Sequence, residues 1–402
     1  MCWDSGFKPR LRPVEAFPLP DGDGMQVGVR DQSGLSDVVL TVSEPALHIM
    51  ALMDGANSCE GIRRRFDVCF GQLLSVDTLQ RMLDALEQAH LLEGPGFEAY
   101  YQSRLDAYRS SGTRDMPHAG MLGIDGSGDL FEEMLNGAGQ PVPPGPVRGL
   151  VVPHLDYARG KPCYAAAYGT LRTHPKPDRV VILGTNHFGR SSSVVATVND
   201  FSTPLGTTRT DVAFLKRLEA QCGDLRAYEL DHLREHSIEL QVAWLQYLLD
   251  ADSFEMVPFL CPDPCGLTGT APCDGNGVDL QDFARVLGDL IAEDDRDTLI
   301  VAGADLSHVG AVFGDKRRLD DAFLEEVREV DARVLNQLTV NDPVAFLSGV
   351  AGDDNATRVC SAGCIFALAT ALPQATGTVL RYHQAVDQPS QTCVTSAAVV
   401  FT

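Results

Sequence analysis

Long apolar runs are missing from this chain. No stretch reaches the ~18 residues that a membrane-crossing helix requires, and the opening segment, Met1-Cys-Trp-Asp-Ser-Gly-Phe-Lys-Pro-Arg10, has no apolar core of the kind a secretory signal carries. A cytoplasmic location without membrane association is the expectation. Basic residues are also scarce: 32 Lys and Arg stand against 55 Asp and Glu, a formal charge of −23 over 402 residues. A surface of that sign repels polyanions, which argues against nucleic acid and anionic membranes as partners. A local positive pocket stays compatible with it. Internal repeats are absent. The 11 cysteines are odd in number and scattered, which suits reduced thiols and not a disulfide framework. Hydrophobic residues make up 44% of the chain, enough for a sizeable core. The length allows one large domain plus a small one, or two to three of ordinary size.

Residues 1–20 read as an irregular lead. Strand candidates follow at Met25–Arg30 and Val38–Val42, joined through the turn-forming Asp31-Gln-Ser-Gly34. Ser43 ahead of Glu44-Pro45 marks a helix start, and Ala46 to Met53 carries the helix to Asp54-Gly55. Asn57 and Glu60 have capping-box spacing for a second helix. Ser75 opens a third, in which Leu79, Met82, Leu83 and Leu86 make one apolar face. Leu91 and Leu92 begin a last strand. This order suggests a small winged-helix-like module over residues 1–100. DNA reading is the competing use of such a module, but its third helix sets Asp77, Asp84 and Glu87 against Arg81, a poor match to a phosphate backbone. The one basic cluster, Arg63–Arg65, reads as a solvated helix face.

A linker-like helix near Glu98–Arg109 leads to Ser110-Ser-Gly-Thr113, so residues 101–115 are assigned as linker and 116–402 as the large domain. Pro141-Val-Pro-Pro-Gly-Pro146 is a stiff connection. Short apolar runs then appear at Leu150–Val152, Val180–Leu183, Met256–Leu260 and Leu299–Ala302. Helix-compatible segments separate them: Tyr164–Arg172, Asp211–Ala220, Ser237–Leu249 and Leu280–Ile291. A helix near Ser361–Leu372 and strands at Val379–Tyr382 and Thr395–Phe401 complete the pattern. Strands alternating with helices predict an α/β fold, a mostly parallel or mixed sheet flanked by helices.

Polar clusters stand where such sheets place their sites, at the carboxyl ends of strands. Three are Val151-Val-Pro-His154-Leu-Asp156-Tyr157, Ile182-Leu-Gly-Thr-Asn186-His187-Phe-Gly189 and Ala302-Gly-Ala-Asp305-Leu-Ser307-His308-Val-Gly310. A fourth, Arg234-Glu235-His236-Ser237-Ile-Glu239, opens the helix that runs to Leu249. Any one of these histidines alone reads as a packed, hydrogen-bonded residue. Four of the chain's ten histidines in equivalent slots read as metal or acid–base chemistry, since imidazole suits iron, copper and zinc and carboxylates can complete or orient the shell. Cys360, just ahead of a helix N-terminus, is a candidate metal ligand or nucleophile because that position favours the thiolate. Cys364, one turn on, reads as a buried structural thiol. Cys261, Cys265 and Cys273 share a Gly- and Pro-rich loop whose spacing fits no standard zinc site.

Together, Pro153-His154-x-x-Tyr157, Leu183-Gly184-x-Asn186-His187, Glu235-His236-Ser237-Ile238-Glu239 and Ala304-Asp305-Leu306-Ser307-His308-x-Gly310 resemble the Memo family, whose microbial members are called AmmeMemoRadiSam system protein B. His118-Ala119-Gly120, Phe201-Ser-Thr-Pro204-Leu-Gly and Asp211 add side matches, and the resemblance covers roughly residues 116–402. It implies a fold similar to the catalytic subunit of class III extradiol dioxygenases, which use non-haem iron. It implies His154, His187 and Cys360 as metal ligands. His308 falls on the dioxygenase acid–base histidine, with Asp305 beside it, and His236 and Glu239 fall on a cleft-wall motif. The chain departs from the family's Pro-His-Ala-Gly-Tyr at Leu155 and Asp156, which puts bulk and a charge, or a further oxygen ligand, near His154. The Cys261–Cys273 loop reads as an insertion. The module over 1–100 resembles PqqD-like modules that bind peptides or partner proteins.

What the resemblance implies for function is a metal-dependent redox enzyme, with iron (Fe2+) the first candidate and copper the alternative, acting on an unknown small-molecule or peptide substrate. A thiolate in place of the dioxygenase carboxylate favours softer ions and is itself oxidisable. Two other readings stand beside it. One is a non-catalytic iron-, copper- or peptide-binding scaffold in a pathway with AMMECR-like or radical-SAM partners. The other is a metal-free enzyme using Cys360 as nucleophile.

Overall fold

The computed structural model describes residues 3–19, 26–136 and 145–402. Met25 of the first expected strand and the stretch 141–144 of the proline-rich connection lie outside the described residues. The chain divides into two compact units, the second beginning at Ser111.

The first unit opens with an antiparallel sheet of β1 (Val14–Pro18), β2 (Gln26–Asp31) and β3 (Val39–Ser43), in that order. β1 lies inside the expected irregular lead. It escapes pattern reading because its partner β2 sets Val14 opposite Asp31, and no alternation announces it. Helices α1 (Glu44–Ala51), α2 (Cys59–Phe70), α3 (Val76–Gln88) and α4 (Pro95–Ser111) follow. Ser58, not Asn57, caps α2, accepting from Gly61 N–H, and Ser75 caps α3 through Thr78 N–H. Leu79, Leu83 and Leu86 turn inward as the 3.6-residue spacing predicts. Leu91 and Leu92 are fully buried, yet Leu92 makes only an isolated bridge to Leu11, so the expected closing strand is absent among the described residues. Arg63 and Arg64 both bond Glu60, which neutralises much of the basic cluster.

The second unit is built on one mixed sheet. Its central strands are β5 (Gly149–Val152), β6 (Arg179–Thr185), β10 (Glu255–Cys261) and β11 (Thr298–Gly303), all parallel to one another where they pair. Every one of their residues except Glu255 is buried, the signature of strands covered on both faces. β12 (Asp305–Gly310), β13 (Gly377–Asp387), β14 (Thr392–Phe401) and the short β7 (Val195–Ala196) add antiparallel margins. The order is β12-β14-β5-β11-β6-β10-β7, with β13 also on β14. A separate small sheet joins β4 (Thr113–Asp115), β8 (Asp200–Thr203) and β9 (Gly206–Thr208).

Two apolar layers cover the main sheet. One face packs against α7 (Val212–Cys222), α9 (Leu280–Ala292), α10 (Asp321–Thr339), α11 (Pro343–Ala351) and α12 (Ala362–Ala371). The other packs against α5 (Asp129–Leu135), α6 (Tyr157–Gly169) and α8 (His236–Leu249), around Phe131, Tyr164, Tyr168 and Trp244. Burying one such large side chain contributes about 1.5–3 kcal/mol. α8 lies tight against β6: a Cβ on Gly184 would stand 2.5 Å from Ser237 Oγ. That close approach seats the first turn of α8 beside the carboxyl ends of β6 and β11. No helix among the described residues is long and apolar enough to cross a membrane.

Candidate metal centre

β5 ends at Val152, and Pro153 then turns the chain so that His154 faces inward, 3% exposed. His154 Nδ1 is 3.0 Å from the Gly303 carbonyl at the end of β11. A carbonyl only accepts, so Nδ1 carries the proton and Nε2 is left with its lone pair. That nitrogen lies 3.5 Å from Cys360 Sγ and 3.5 Å from Asp305 Oδ2. The neighbouring Asp156 is occupied elsewhere: it caps α6 through Arg159 N–H and pairs with the Arg159 guanidinium. Leu155 is buried against Ala385 and Val394. The two substituted positions thus serve helix capping and packing, and Asp156 supplies no oxygen to His154.

His187 follows β6 in a loop shaped by Asp231, whose carboxylate accepts from Asn186 Nδ2 at 3.0 Å and from the N–H groups of Arg190 and Ser191, both at 3.1 Å. His187 Nδ1 lies 3.0 and 3.1 Å from the two oxygens of Glu235, and its backbone N–H reaches the same carboxylate at 3.2 Å. Glu235 also caps α8, accepting from Ser237 N–H at 2.9 Å, and stands 3.3 Å from His236 Nδ1. One buried carboxylate therefore holds the Nδ1 side of two imidazoles; although burial opposes it, Glu235 and Cys360 raise His187 well above the ordinary imidazole value, so a metal would displace a proton from its Nε2. Burial works against its charge, but His187 and His236 hold Glu235 well below the usual carboxylate range. Burial brings His236 down to about 3, with Glu235 only partly offsetting it, so the ring is neutral and able to donate a lone pair.

The donor nitrogens of His154, His187 and His236 all lie within 4.8 Å of one another. Their ring centroids are 4.8, 5.4 and 5.1 Å apart. Cys360 stands at the entry to α12, with Sγ 3.2 Å from Ser361 Oγ. Burial opposes its thiolate, yet His154 and His187 beside it bring the thiol down to about 6. Three imidazoles and a thiolate form a donor set that suits iron, copper or zinc, and every ring has its outer nitrogen fixed. The residues present fit a bound metal ion, and the three histidines can hold one. Among the described residues this is the one cluster of histidine, cysteine and carboxylate side chains that could hold an ion. Cys265 and Cys273 do not join one: Cys265 is half-buried and Cys273 exposed, and Cys261 is buried.

The remaining expected residues surround this cluster. Asp305 begins β12, 1% exposed, and its carboxyl accepts from His154 N–H at 3.3 Å. Burial pushes it up to about 6, although His308 favours its charge. His308 lies on β12, and no hydrogen bond or ring contact among the described residues joins it to the three histidines. Glu239 does not face the cluster. It is fully buried, paired with Arg114 and 2.6 Å from His118 Nδ1. Arg114 also donates to the carbonyls of His232 and Glu235 at 3.0 and 2.6 Å. Through Glu239, His118 is held with its ring centroid 6.1 Å from that of His236. Glu235 and His118 are thus parts of the cleft that the sequence motifs carried without showing their connections, and Arg114, inside the stretch expected to be linker, is a part that no motif carried. The readable signal for Glu235 is its position one residue ahead of a helix-starting histidine. Asp211 serves the opposite edge of the sheet, capping α7 and pairing with Arg179 and Arg296 at 2.8 and 2.9 Å.

Fold and site define a class: an α/β protein with a histidine-rich, metal-competent cleft at the carboxyl ends of parallel strands. The Memo-like protein family profile matches residues 114–400, and the chain belongs to that family. A MEMO1 family protein of Aquifex aeolicus is 25% identical over 98% of this chain and 100% of its own length, so the likeness extends into the first unit. MEMO1 family proteins of Saccharolobus solfataricus and Methanopyrus kandleri are 30% and 36% identical over 47% and 40% of the chain, spanning 62% and 53% of their own lengths. An uncharacterized Escherichia coli K12 protein of solved structure aligns with 64% of the chain at 17% identity and a TM-score of 0.39.

Proposed function

We propose that this protein is a metal-dependent redox enzyme in which His154, His187 and Cys360, with His236 beside them, hold one iron ion, copper being the alternative. The observation that carries the reading is the convergence of three imidazole nitrogens within 4.8 Å, each ring with its Nδ1 side against a carbonyl or carboxylate. Bound iron would supply one-electron chemistry toward dioxygen and an acidic hydroxyl of a small or peptide-borne ligand. The chain's own residues do the rest. Glu235 and the Gly303 carbonyl orient the imidazoles, and the negative charge of Glu235 balances the cation. His308, with Nδ1 directed at the Leu306 and Arg358 carbonyls, offers Nε2 as proton acceptor. His118, its Nδ1 on Glu239 and its side chain 32% exposed, presents its far nitrogen at the rim. The first unit belongs to the same proposal as the module that recruits the substrate's carrier or an AMMECR-like or radical-SAM partner in the cytoplasm.

A second reading has one observation in its favour. Cys360 Sγ lies 3.5 Å from His154 Nε2, a nucleophile–base spacing that needs no metal. Elemental analysis with electron paramagnetic resonance on protein purified without oxygen separates the two. About one iron per chain, giving a nitrosyl signal with nitric oxide, supports the first reading. Copper shifts the cofactor, and a protein that purifies without metal and whose Cys360 is acylated by an activated ester sinks the first reading.

A further inference from the structure

The His308 ring is held by one carbonyl of its own strand and one from a distant part of the chain. Nδ1 lies 3.0 Å from the Leu306 carbonyl and 3.1 Å from the Arg358 carbonyl. The Arg358 side chain closes the loop in the other direction: Nη1 donates to the His308 carbonyl at 3.0 Å, and Nη1 and Nη2 reach Asp315 at 3.2 and 2.6 Å. Asp315 also accepts from Gly310 N–H, the end of β12, at 2.7 Å. A Cβ on Gly310 would stand 2.0 Å from the Gln391 carbonyl, and its φ of +112° suits glycine alone, so this corner is fixed. The segment that carries Arg358 is strained. Asp354, Asn355 and Arg358 have φ of 52°, 49° and 57°, in the left-handed region that side-chain-bearing residues enter at a cost. Asn355 braces it, bonding the N–H and carbonyl of Val359 at 2.8 and 3.0 Å.

From this juxtaposition we infer that Asp315 and Arg358 are positioning residues for His308: their ion pair presses the Arg358 carbonyl against Nδ1 and keeps the ring in the tautomer whose Nε2 faces a ligand as proton acceptor. In a histidine without such acceptors the proton is free to sit on either nitrogen. Neither residue touches reacting atoms. The pair is partly exposed, 37% for Arg358 and 19% for Asp315, so it contributes little to global stability. Orientation is the larger consequence of removing it. The functional weight of the device rests on the reading of His308 as the proton-transfer group.

Long-range proton–nitrogen correlation spectra of the full-length, metal-free protein, labelled at histidine nitrogen, test the inference. The His308 signals are assigned by their loss in His308→Gln. Wild type is expected to show one tautomer, protonated at Nδ1. Asp315→Asn and Arg358→Lys are each expected to show a mixture, with the Nδ1–H to Nε2–H ratio falling on the order of tenfold, the equivalent of one net hydrogen bond. The Leu306 carbonyl remains in both, so inversion is not expected. The melting temperature should fall no further than in Arg226→Ala, which removes a comparably exposed pair, Arg226–Glu219, elsewhere. A His308 that stays wholly Nδ1–H in both variants, or is Nε2–H in wild type, overturns the inference. If the tautomer responds as expected while His308→Gln leaves metal-dependent turnover intact, the positioning role stands and the catalytic reading of His308 falls.

Discussion

Glu235→Gln is the sharpest probe of how the cleft is built. The substitution keeps the side chain's volume and one oxygen, enough to preserve the α8 cap on Ser237 N–H. It replaces the second oxygen with an NH2 group, a donor facing the His187 Nδ1–H and the His187 backbone N–H, both donors as well. One of the two imidazoles therefore loses its anchor, and the anion that favours a bound cation is gone. Groups that orient metal-binding histidines from behind are worth about 10–100-fold in affinity, or roughly 1.4–2.7 kcal/mol. Because Glu235 serves both His187 and His236, the losses should not add. In a His187→Ala background, where the imidazole that the new NH2 group faces is gone, Glu235→Gln should cost less than in wild type, giving an interaction energy of at least ~0.5 kcal/mol in the double-mutant cycle. The assay is anaerobic Fe(II) competition against a chromophoric chelator, with thermal unfolding monitored in parallel. Unchanged affinity in Glu235→Gln, or equal losses in both backgrounds, refutes the bridging role.

Alkylation of metal-free Cys360 by iodoacetamide, mapped by mass spectrometry, should rise with pH through a midpoint near 6, against ~8.5 for an ordinary thiol; in His154→Ala the midpoint should move up, and a wild-type midpoint at the ordinary value would contradict the imidazole–thiolate coupling. Asp331 accepts hydroxyl hydrogen bonds from Ser307 at 2.6 Å, Thr395 at 2.6 Å and Tyr382 at 2.8 Å, which ties α10 to β12, β13 and β14. Asp331→Ala strands these hydroxyls and should cost about 2–4 kcal/mol in urea unfolding; a loss below ~1 kcal/mol would mean they find other partners. Burial raises the Asp331 carboxyl above its unfolded value, so its contribution is greatest at low pH and is lost as the pH climbs through the raised value. Asp331→Asn should accordingly fall furthest behind wild type at the acid end of the range.

The four central strands were legible because they are short, branched, apolar and buried on both faces, a pattern that survives without knowledge of neighbours. β12 was not. Asp305-Leu-Ser-His-Val-Gly310 is polar and ends in glycine, and it becomes a strand only because β14 supplies a partner, with a register shift between Asp305 and His308. α10 and α11 escaped for a related reason: the long amphipathic Asp321–Thr339 segment carries no strand signal to frame it. At the site, the slots of His154, His187, His236 and Cys360 could be read from strand ends and a helix start. Their connections could not. That Glu235 reaches His187, 48 residues away, or that Glu239 turns from the cluster to hold His118, depends on how closely α8 approaches β6. Asp156 misled because a carboxylate two residues from a candidate ligand looks like a ligand until the helix it caps is seen.

The strand order has a consequence for how the protein is made. β14 comes after every segment that furnishes the cleft, yet it lies inside the sheet, between β5 and β12, and among the described residues it is the sole strand paired with β12. A nascent chain that has delivered His154, His187, His236, His308 and Cys360 still has no place to dock the strand bearing His308 until residues 392–401 have left the ribosome. Assembly of the cleft therefore waits for β14. Any metal acquired earlier would be held by donors not yet fixed in the finished sheet and exposed to exchange, which favours loading after β14 has docked.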